Sequence, residues 1–302
     1  MALAAGVAGS SLPFRAFAQA APPPIRATKL SDRITMLYGD GGNVAIITSS
    51  DGLMMVDGGL PNRSADLLKA VSEQVDAHTI RIVFNTHWHF DHIGCNEALG
   101  RAGAKIIAQE NVKKRLSVKT TTEALNRTFD PLQPEGIPSQ TFTKGGKMSF
   151  GKEKIEYVHV APAHTDGDTY VFFPGANILH TGDLMFNGFY PVIDYSTGGW
   201  IGGMAAASDL LLKVGDNKTQ IIPGHGPMAT KEDLKQTRDM LATVHDRLEK
   251  LIKEGKSLEE SLAAAPTKDL DATWGKGSMK PEVFTRVAYT SIRQHHQKRK
   301  TR

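Results

Sequence analysis

The apolar positions of this chain change their period along its length. From residue 33 to about 60 they come in short blocks, "ITMLYG", "NVAIITSS" and "GLMMVDGG", separated by Gly, Asp and Asn, which is the pattern of strands joined by turns. "SSDG" between the last two blocks predicts a hairpin. Pro61 predicts the start of a helix over 61–76, with Leu60, Leu67, Leu68 and Val71 as its apolar stripe. The run "IRIVF" has no polar alternation beyond one Arg and suits a strand covered on both faces. A short helix over 94–101 and a strand at "KIIAQ" follow. Residues 117–146 are polar and rich in Thr, Pro and Gly, which predicts a long connection folded over a cleft. Strands return at "KIEYVHVAP", "TYVFFPG" and "NILHTGD", then a helix over 203–214 and a strand at "TQIIPG". From residue 230 the spacing becomes helical, in "KEDLKQTRDMLATVHDRLEKLIKEG" and again over 281–297.

Strands followed by helices therefore occur twice, with several hairpins. Two mixed sheets packed face to face with helices outside satisfy that order, an α/β (α+β) class fold built as one domain over 33–302. Residues 1–20 end in Ala18-Gln19-Ala20 and read as a truncated export signal, with 21–32 as a Pro-rich linker. That leader would send the chain to the periplasm or out of the cell.

Composition narrows the picture only a little. The 302 residues are 40% hydrophobic and 23% charged, ordinary for a globular chain. The net charge of +4 is small and lies partly in the terminal "QKRKTR", and no basic stripe carries interleaved aromatics, so no nucleic-acid partner is expected. No apolar run is long enough for a membrane span. Cys95 is the single cysteine, so neither an intramolecular disulfide nor a zinc knuckle can form; it reads as a small buried side chain.

The chemistry concentrates in "NTHWHFDH", residues 85–92, directly after the apolar strand. In an extended segment His87, His89 and Asp91 point one way, and Trp88 and Phe90 the other. His92 breaks the alternation and can face a second site beside the first. Downstream, His164 in "APAHTDGD", Asp183 in "ILHTGDLMF" and His225 in "IIPGHGP" each end a strand and enter a Gly- or Pro-containing loop. Five imidazoles and two carboxylates suffice for two divalent metal ions. The assignment is His87, His89 and His164 on one, Asp91, His92 and His225 on the other, and Asp183 between them. Such a pair attracts a small-molecule substrate that is anionic or has a polarisable carbonyl, and it ionises water near neutral pH.

H-x-H-x-D-H, a His before a Gly-containing turn, then T-G-D and P-G-H-G, together resemble the metallo-β-lactamase superfamily over about residues 33–230. The resemblance implies an αββα four-layer sandwich with a dinuclear site at one edge. His89 stands where the oxygen-reducing diiron members carry Glu, which favours hydrolysis. Asp183 stands where many zinc β-lactamases carry a thiolate, and Phe186 stands where many hold the substrate carboxylate with Lys. The ligand set is thus similar to the glyoxalase II-like branch. Zinc is the expected metal, with manganese or iron able to compete at an oxygen-bridged site. The expected activity is a metal-bound hydroxide attacking an ester, thioester, lactone or β-lactam-like carbonyl. Phosphodiester hydrolysis is the alternative enzyme reading, and a non-catalytic metal-binding protein the alternative outside enzymes.

Asp91 is expected to steer the nucleophile and carry a proton. Asn187 and Tyr190, in the aromatic stretch "MFNGFYPVIDYSTGGW", are candidates for an oxyanion donor, and Trp200 for an apolar wall. Asp57 in "VDGG" is expected to orient a metal-bound His. His180 is expected to lie in the core or behind a ligand, and His159 to be structural.

Overall fold

The computed structural model describes residues 22–75 and 79–300. The proposed export signal lies outside the described residues. The first sheet contains β1 (Arg26–Lys29), β2 (Ile34–Tyr38), β3 (Val44–Ser49), β4 (Gly52–Val56), β5 (Ile80–Phe84), β6 (Lys105–Gln109) and β9 (Gln140–Phe142), side by side in that order. Two strands between β6 and β9, β7 (Thr120–Thr122) and β8 (Arg127–Phe129), pair with each other as a separate hairpin. The second sheet runs β10 (Gly145–Phe150), β11 (Glu153–His159), β12 (Thr169–Phe173), β13 (Ile178–Phe186) and β14 (Gln220–His225). Helices α1 (Ser64–Gln74), α2 (Asn96–Arg101) and α3 (Glu110–Leu116) belong to the first half. Helices α4 (Ile201–Leu211), α5 (Lys231–Lys253), α6 (Leu258–Ala263), α7 (Asp271–Trp274) and α8 (Pro281–Lys300) belong to the second.

Side-chain alternation along the strands makes the layers. Ile34, Met36, Ala45, Ile47, Met54, Val56 and Phe84 face the second sheet and pack against Ile155, Tyr157, Val171, Phe173, Ile178 and Ile222. The intervening residues Leu37, Val44, Ile46, Leu53, Met55 and Val83 face outward onto Leu67, Ala70 and Val71 of α1 and Leu99 of α2. On the far side Tyr170, Phe172, Leu179 and Ile221 meet α4, α5 and α8 through Met204, Leu211, Leu234, Leu241 and Phe284. Strands sandwiched in this way need apolar residues at both parities, which is why β4 reads as an unbroken run. The result is the expected αββα four-layer sandwich.

Several boundaries differ from the sequence reading. Residues 26–29, expected as linker, instead form β1, an edge strand antiparallel to β2. The helix expected over 61–76 opens as a 3-10 turn at Pro61–Arg63 and is α-helical only from Ser64 to Gln74. Residues 117–146 hold the β7–β8 hairpin, two 3-10 turns and β9 rather than a bare loop. Their short runs of local pairing lack the alternation that would mark them in sequence.

β4, β5 and β6 run parallel, as do β13 and β14. The carboxyl ends of β4, β5 and β14 therefore open at one edge of the sandwich, and loops at that edge are where ligands gather in α/β sheets.

Candidate metal centre

Each proposed ligand reaches this edge by its own element. His87, His89, Asp91 and His92 lie in the irregular segment after β5, and His164 in the β11–β12 connection. Asp183 sits inside β13, just after Gly182, where the parallel register with β14 breaks. His225 is the last residue of β14. Two donor sets result: His87, His89, His164 and Asp183, all buried, and Asp91, His92 and His225.

A metal about 2.0–2.1 Å from tetrahedrally placed donors spaces those donors about 3.3 Å apart. In the first set His164 Nε2 lies 2.9 Å from His89 Nδ1 and 3.4 Å from Asp183 Oδ2. His87 Nε2 lies 3.7 Å from the same oxygen. In the second set His225 Nε2 lies 3.3 Å from both His92 Nε2 and Asp91 Oδ2. Asp183 Oδ1 faces this set, 3.1 Å from His92 Nε2 and 3.4 Å from His225 Nε2. The two oxygens of one carboxylate thus serve the two sets separately. His87 Nε2 is buried without a hydrogen-bond partner, a cost a folded core bears only when something else satisfies the atom. The residues fit a pair of divalent cations.

The outward ring nitrogens fix which nitrogen is bare. His92 Nδ1 donates to Asp57 Oδ2 at 2.8 Å, so Nε2 is the free donor atom. Asp57 is held in turn by the Thr86 N–H and Oγ1, both at 2.8 Å. Because the Thr86 hydroxyl gives its proton to Asp57, it accepts from His87 Nδ1 at 3.0 Å, freeing His87 Nε2. His164 Nδ1 donates to the Val192 carbonyl at 2.8 Å. His89 is reversed: Nε2 donates to Asp194 Oδ2 at 3.2 Å and Nδ1 faces the set. Asp57 thus bonds the ring of His92, the histidine it would orient.

Two glycines make room for the carboxylate and a ring. A Cβ on Gly224 would stand 2.0 Å from Asp183 Oδ1, and one on Gly42 would stand 2.2 Å from His92 Cε1.

Electrostatics without metal divide the histidines. Burial lowers His87 and brings His164 down to about 4, leaving both neutral. Burial also opposes charge on His92 and His225, but Asp183 with Asp57 or Asp91 outweighs it, raising His92 and bringing His225 to about 9. Asp91 is pushed up by burial yet held to about 2 by His92 and His225. Asp183 is held well below the carboxylate range by the same two imidazoles against its burial. The second set thus holds protons in the place of a cation and must release them when one binds.

Some sequence expectations fail here. The Tyr190 hydroxyl is no oxyanion donor: it donates to Asp271 Oδ1 at 2.9 Å while its ring stacks on Phe284 in the helical layer. The Asn187 amide is occupied by the Pro227 and Met228 carbonyls at 3.1 and 3.3 Å, so it braces the loop after His225 rather than facing a substrate. Trp200 stacks on His295 and lines a different cleft. Phe90 is only half-buried and stacks on Phe129 of β8, with the Arg127 guanidinium 4.4 Å above its ring. The β7–β8 hairpin is thereby tied to the ligand segment. His180 is buried, accepts from the Gly182 N–H and donates to the Asn43 carbonyl; it is structural, as expected. The His159 ring likewise bonds a backbone carbonyl, that of Asp168.

Nothing in the linear sequence marks Asp194, whereas Asp166 and Asp168, following His164 in "HTDGD", suit turn formation and N–H capping. Asp194 supports His89 and is held by the Thr197 hydroxyl at 2.7 Å. Asp168 accepts from the N–H groups of His164 and Thr165 at 2.7 and 2.9 Å and ties the His164 loop. Burial lifts it to about 7 despite those bonds. Only an aspartate beside a recognised ligand, as Asp168 is beside His164, carries any signal in the chain.

Among curated proteins, the chain is 24% identical over 200 residues to the metallo-beta-lactamase type 2 of Bacillus sp., covering 66% of this chain and 72% of that protein. It is 24% identical over 218 residues to the hydroxyacylglutathione hydrolase GloC of Haemophilus influenzae, covering 72% and 96%. Among solved structures, a metallo-beta-lactamase from Pontibacter korlensis superposes with a TM-score of 0.59 at 20% identity, over 72% of this chain and 99% of that one. A sec-alkylsulfatase from Pseudomonas sp. superposes with a TM-score of 0.66 at 17% identity, over 89% of this chain and 50% of that one. The family model described as the metallo-beta-lactamase superfamily matches residues 37–225, the span that begins in β2 and ends on the last histidine of the metal centre. The chain is a member of the metallo-beta-lactamase superfamily.

Proposed function

We propose that this protein is a dinuclear hydrolase acting on an acyl carbonyl, in an ester, thioester or lactone. The observation that carries the reading is Asp183, whose two oxygens face the two donor sets at 3.1–3.7 Å. Charge supports two ions rather than one. Asp57, Asp91, Asp183 and Asp194 crowd the site, and two divalent cations match them charge for charge, whereas one would leave a buried excess. A divalent pair supplies Lewis acidity toward a carbonyl oxygen and makes water nucleophilic near neutral pH.

The protein's own groups do the rest. Asp57 and Asp194 keep His92 and His89 in the tautomer that presents a bare nitrogen. Asp91 is one of the two ligand side chains with appreciable solvent contact, 16% exposed beside His225 at 19%, so substrate enters on that side. Asp91 there orients the attacking water and passes its proton to the leaving group. Phe186, stacked on His225 with ring centroids 4.9 Å apart, gives that side an apolar wall and no cation for a lactam carboxylate. Arg127, fixed over Phe90, offers a cation at the rim for an anionic substrate. Phe186 beside His225 supports acyl esters or thioesters over β-lactams.

The test is metal analysis of protein purified without added metal, followed by a panel of a thioester, a lactone, an aryl ester, nitrocefin and bis-nitrophenyl phosphate. Two metal equivalents with thioester or ester turnover, abolished by chelator and restored by zinc, manganese or iron, is the expected result. One equivalent, or turnover only of the phosphodiester, refutes it.

A further inference from the structure

A cleft of about 680 Å³ lies between α4, the C-terminal part of α8 and the loops at 160–166 and 196–200, and none of the metal donors lines it. Its floor is apolar: Pro162, Ala206, Ala207 and the exposed Leu210, with Trp200 at one end. Trp200 is held parallel to His295, ring centroids 3.7 Å apart. The rim is cationic, with Arg115, Lys298 and Arg299. Asp166 is the sole carboxylate among the lining residues, and Arg115 already pairs with it at 2.6 Å. An apolar floor with an aromatic end and a cationic rim suits a ligand with a flat or acyl body and one anionic group.

The wall of this cleft is also the back of the metal centre. Thr197 lines the cleft and donates to Asp194, which in turn accepts from His89. The Trp200 N–H donates to the Ala163 carbonyl at 2.8 Å, next to His164. Two of the three imidazoles in the first donor set are therefore supported from residues a bound ligand would touch.

We propose that this cleft is an accessory site for a small amphipathic carboxylate, and that its occupancy changes how firmly the first donor set retains its ion. The organic body lies on the apolar floor beside Trp200, Arg299 meets the carboxylate, and the Thr197–Trp200 wall transmits the contact to His89 and His164. The coupling runs both ways, since a ligand that alters ion retention must itself bind differently once the ion leaves.

The experiment titrates metal-loaded full-length protein with 2-naphthoate and, separately, with the neutral 2-naphthamide. The acid should bind at least about tenfold more tightly than the amide. Ala206→Trp, which fills the cleft from an exposed helix face, and Arg299→Glu, at the exposed rim, should each weaken naphthoate about tenfold while leaving the thermal midpoint within a few degrees. Saturating naphthoate should shift the apparent metal affinity, read at equilibrium against a competing chelator, by about twofold or more in the parent protein and not in Ala206→Trp. Equal binding of acid and amide, binding that survives both substitutions, or an unchanged metal affinity would each overturn the proposal. None of these readouts depends on turnover, so they stand apart from the test of the hydrolase reading.

Discussion

Replacing Asp57 by Asn alters one proton and one charge in a buried site while keeping the side-chain shape. The backbone at Asp57 has φ of 66°, a left-handed conformation that Asn tolerates and Ala does not, so the change isolates the carboxylate. Asp57 accepts three bonds at 2.8 Å, from the Thr86 N–H and Oγ1 and from His92 Nδ1. Asn has only one accepting atom. If its oxygen keeps the Thr86 N–H, its NH2 faces His92 Nδ1, which must then accept, and the ring proton moves to Nε2, the atom meant for metal. If the amide flips, the oxygen serves His92 and the buried Thr86 N–H is left facing a donor, costing about 1–3 kcal/mol of stability. In the first orientation the loss falls on ion affinity, by about 10–100-fold, the usual cost of removing a partner behind a metal-bound His. That corresponds to about 1.4–2.7 kcal/mol. The assay is competition against a chromophoric chelator at pH 7, following both equivalents. Asp57 Oδ2 also takes the Thr86 hydroxyl that backs His87 Nδ1, so in the first orientation both donor sets should bind their ions more weakly than in the parent. Retention of both ions at parental affinity would refute the role given to Asp57.

Four further outcomes follow from the same geometry. Gly224→Ala places a methyl 2.0 Å from Asp183 Oδ1 and 2.7–2.8 Å from the backbone of Gly182 and Asp183, so both the carboxylate and the β13–β14 pairing must shift; metal analysis should show loss of at least one equivalent, with overpacking adding about 1–3 kcal/mol or more of destabilisation in thermal unfolding. In metal-free protein His225 sits near 9 against about 6.5 unfolded, so its stabilising contribution is complete below pH 6.5 and lost as pH rises through 9. The thermal midpoint of metal-free protein should therefore fall between pH 7 and about 9.5, while the metal-loaded midpoint, with cations replacing those protons, should not follow it; parallel curves would contradict the site electrostatics. Cys95 is fully buried and its thiol is pushed up to about 11 by burial, so a disulfide reagent at pH 8 should label the native protein far more slowly than the denatured one. Arg127→Ala should raise KM about three- to tenfold for an anionic substrate with kcat unchanged and leave a neutral one unaffected; a matching fall in kcat would place Arg127 elsewhere in the reaction.

The clustering of seven metal-capable side chains and the two-sheet order were legible in the chain because each rests on short-range physics. Alternation within β2, β3 and β4 sorts residues to faces irrespective of what they meet, and His87, His89, Asp91 and His92 are neighbours along the backbone. Glycines beside Asp183 and His225 leave a visible trace, since only they allow so close an approach. What the chain alone left open is everything that depends on where a free side-chain atom ends up. Tyr190 and Asn187 lie in the right stretch for substrate contact, yet a hydroxyl or amide goes to the nearest buried acceptor, and folding brought Asp271 to the one and the Pro227 and Met228 carbonyls to the other. Asp194 became the support of His89 only because a distant loop closes on the metal edge, a contact separated by 105 positions that no local pattern encodes. The strand at Arg26–Lys29 and the β7–β8 hairpin are likewise products of pairing partners rather than of their own composition. Local periodicity and ligand chemistry belong to the sequence; the pairing of polar groups across the fold is decided by which surfaces tertiary packing brings within about 3 Å.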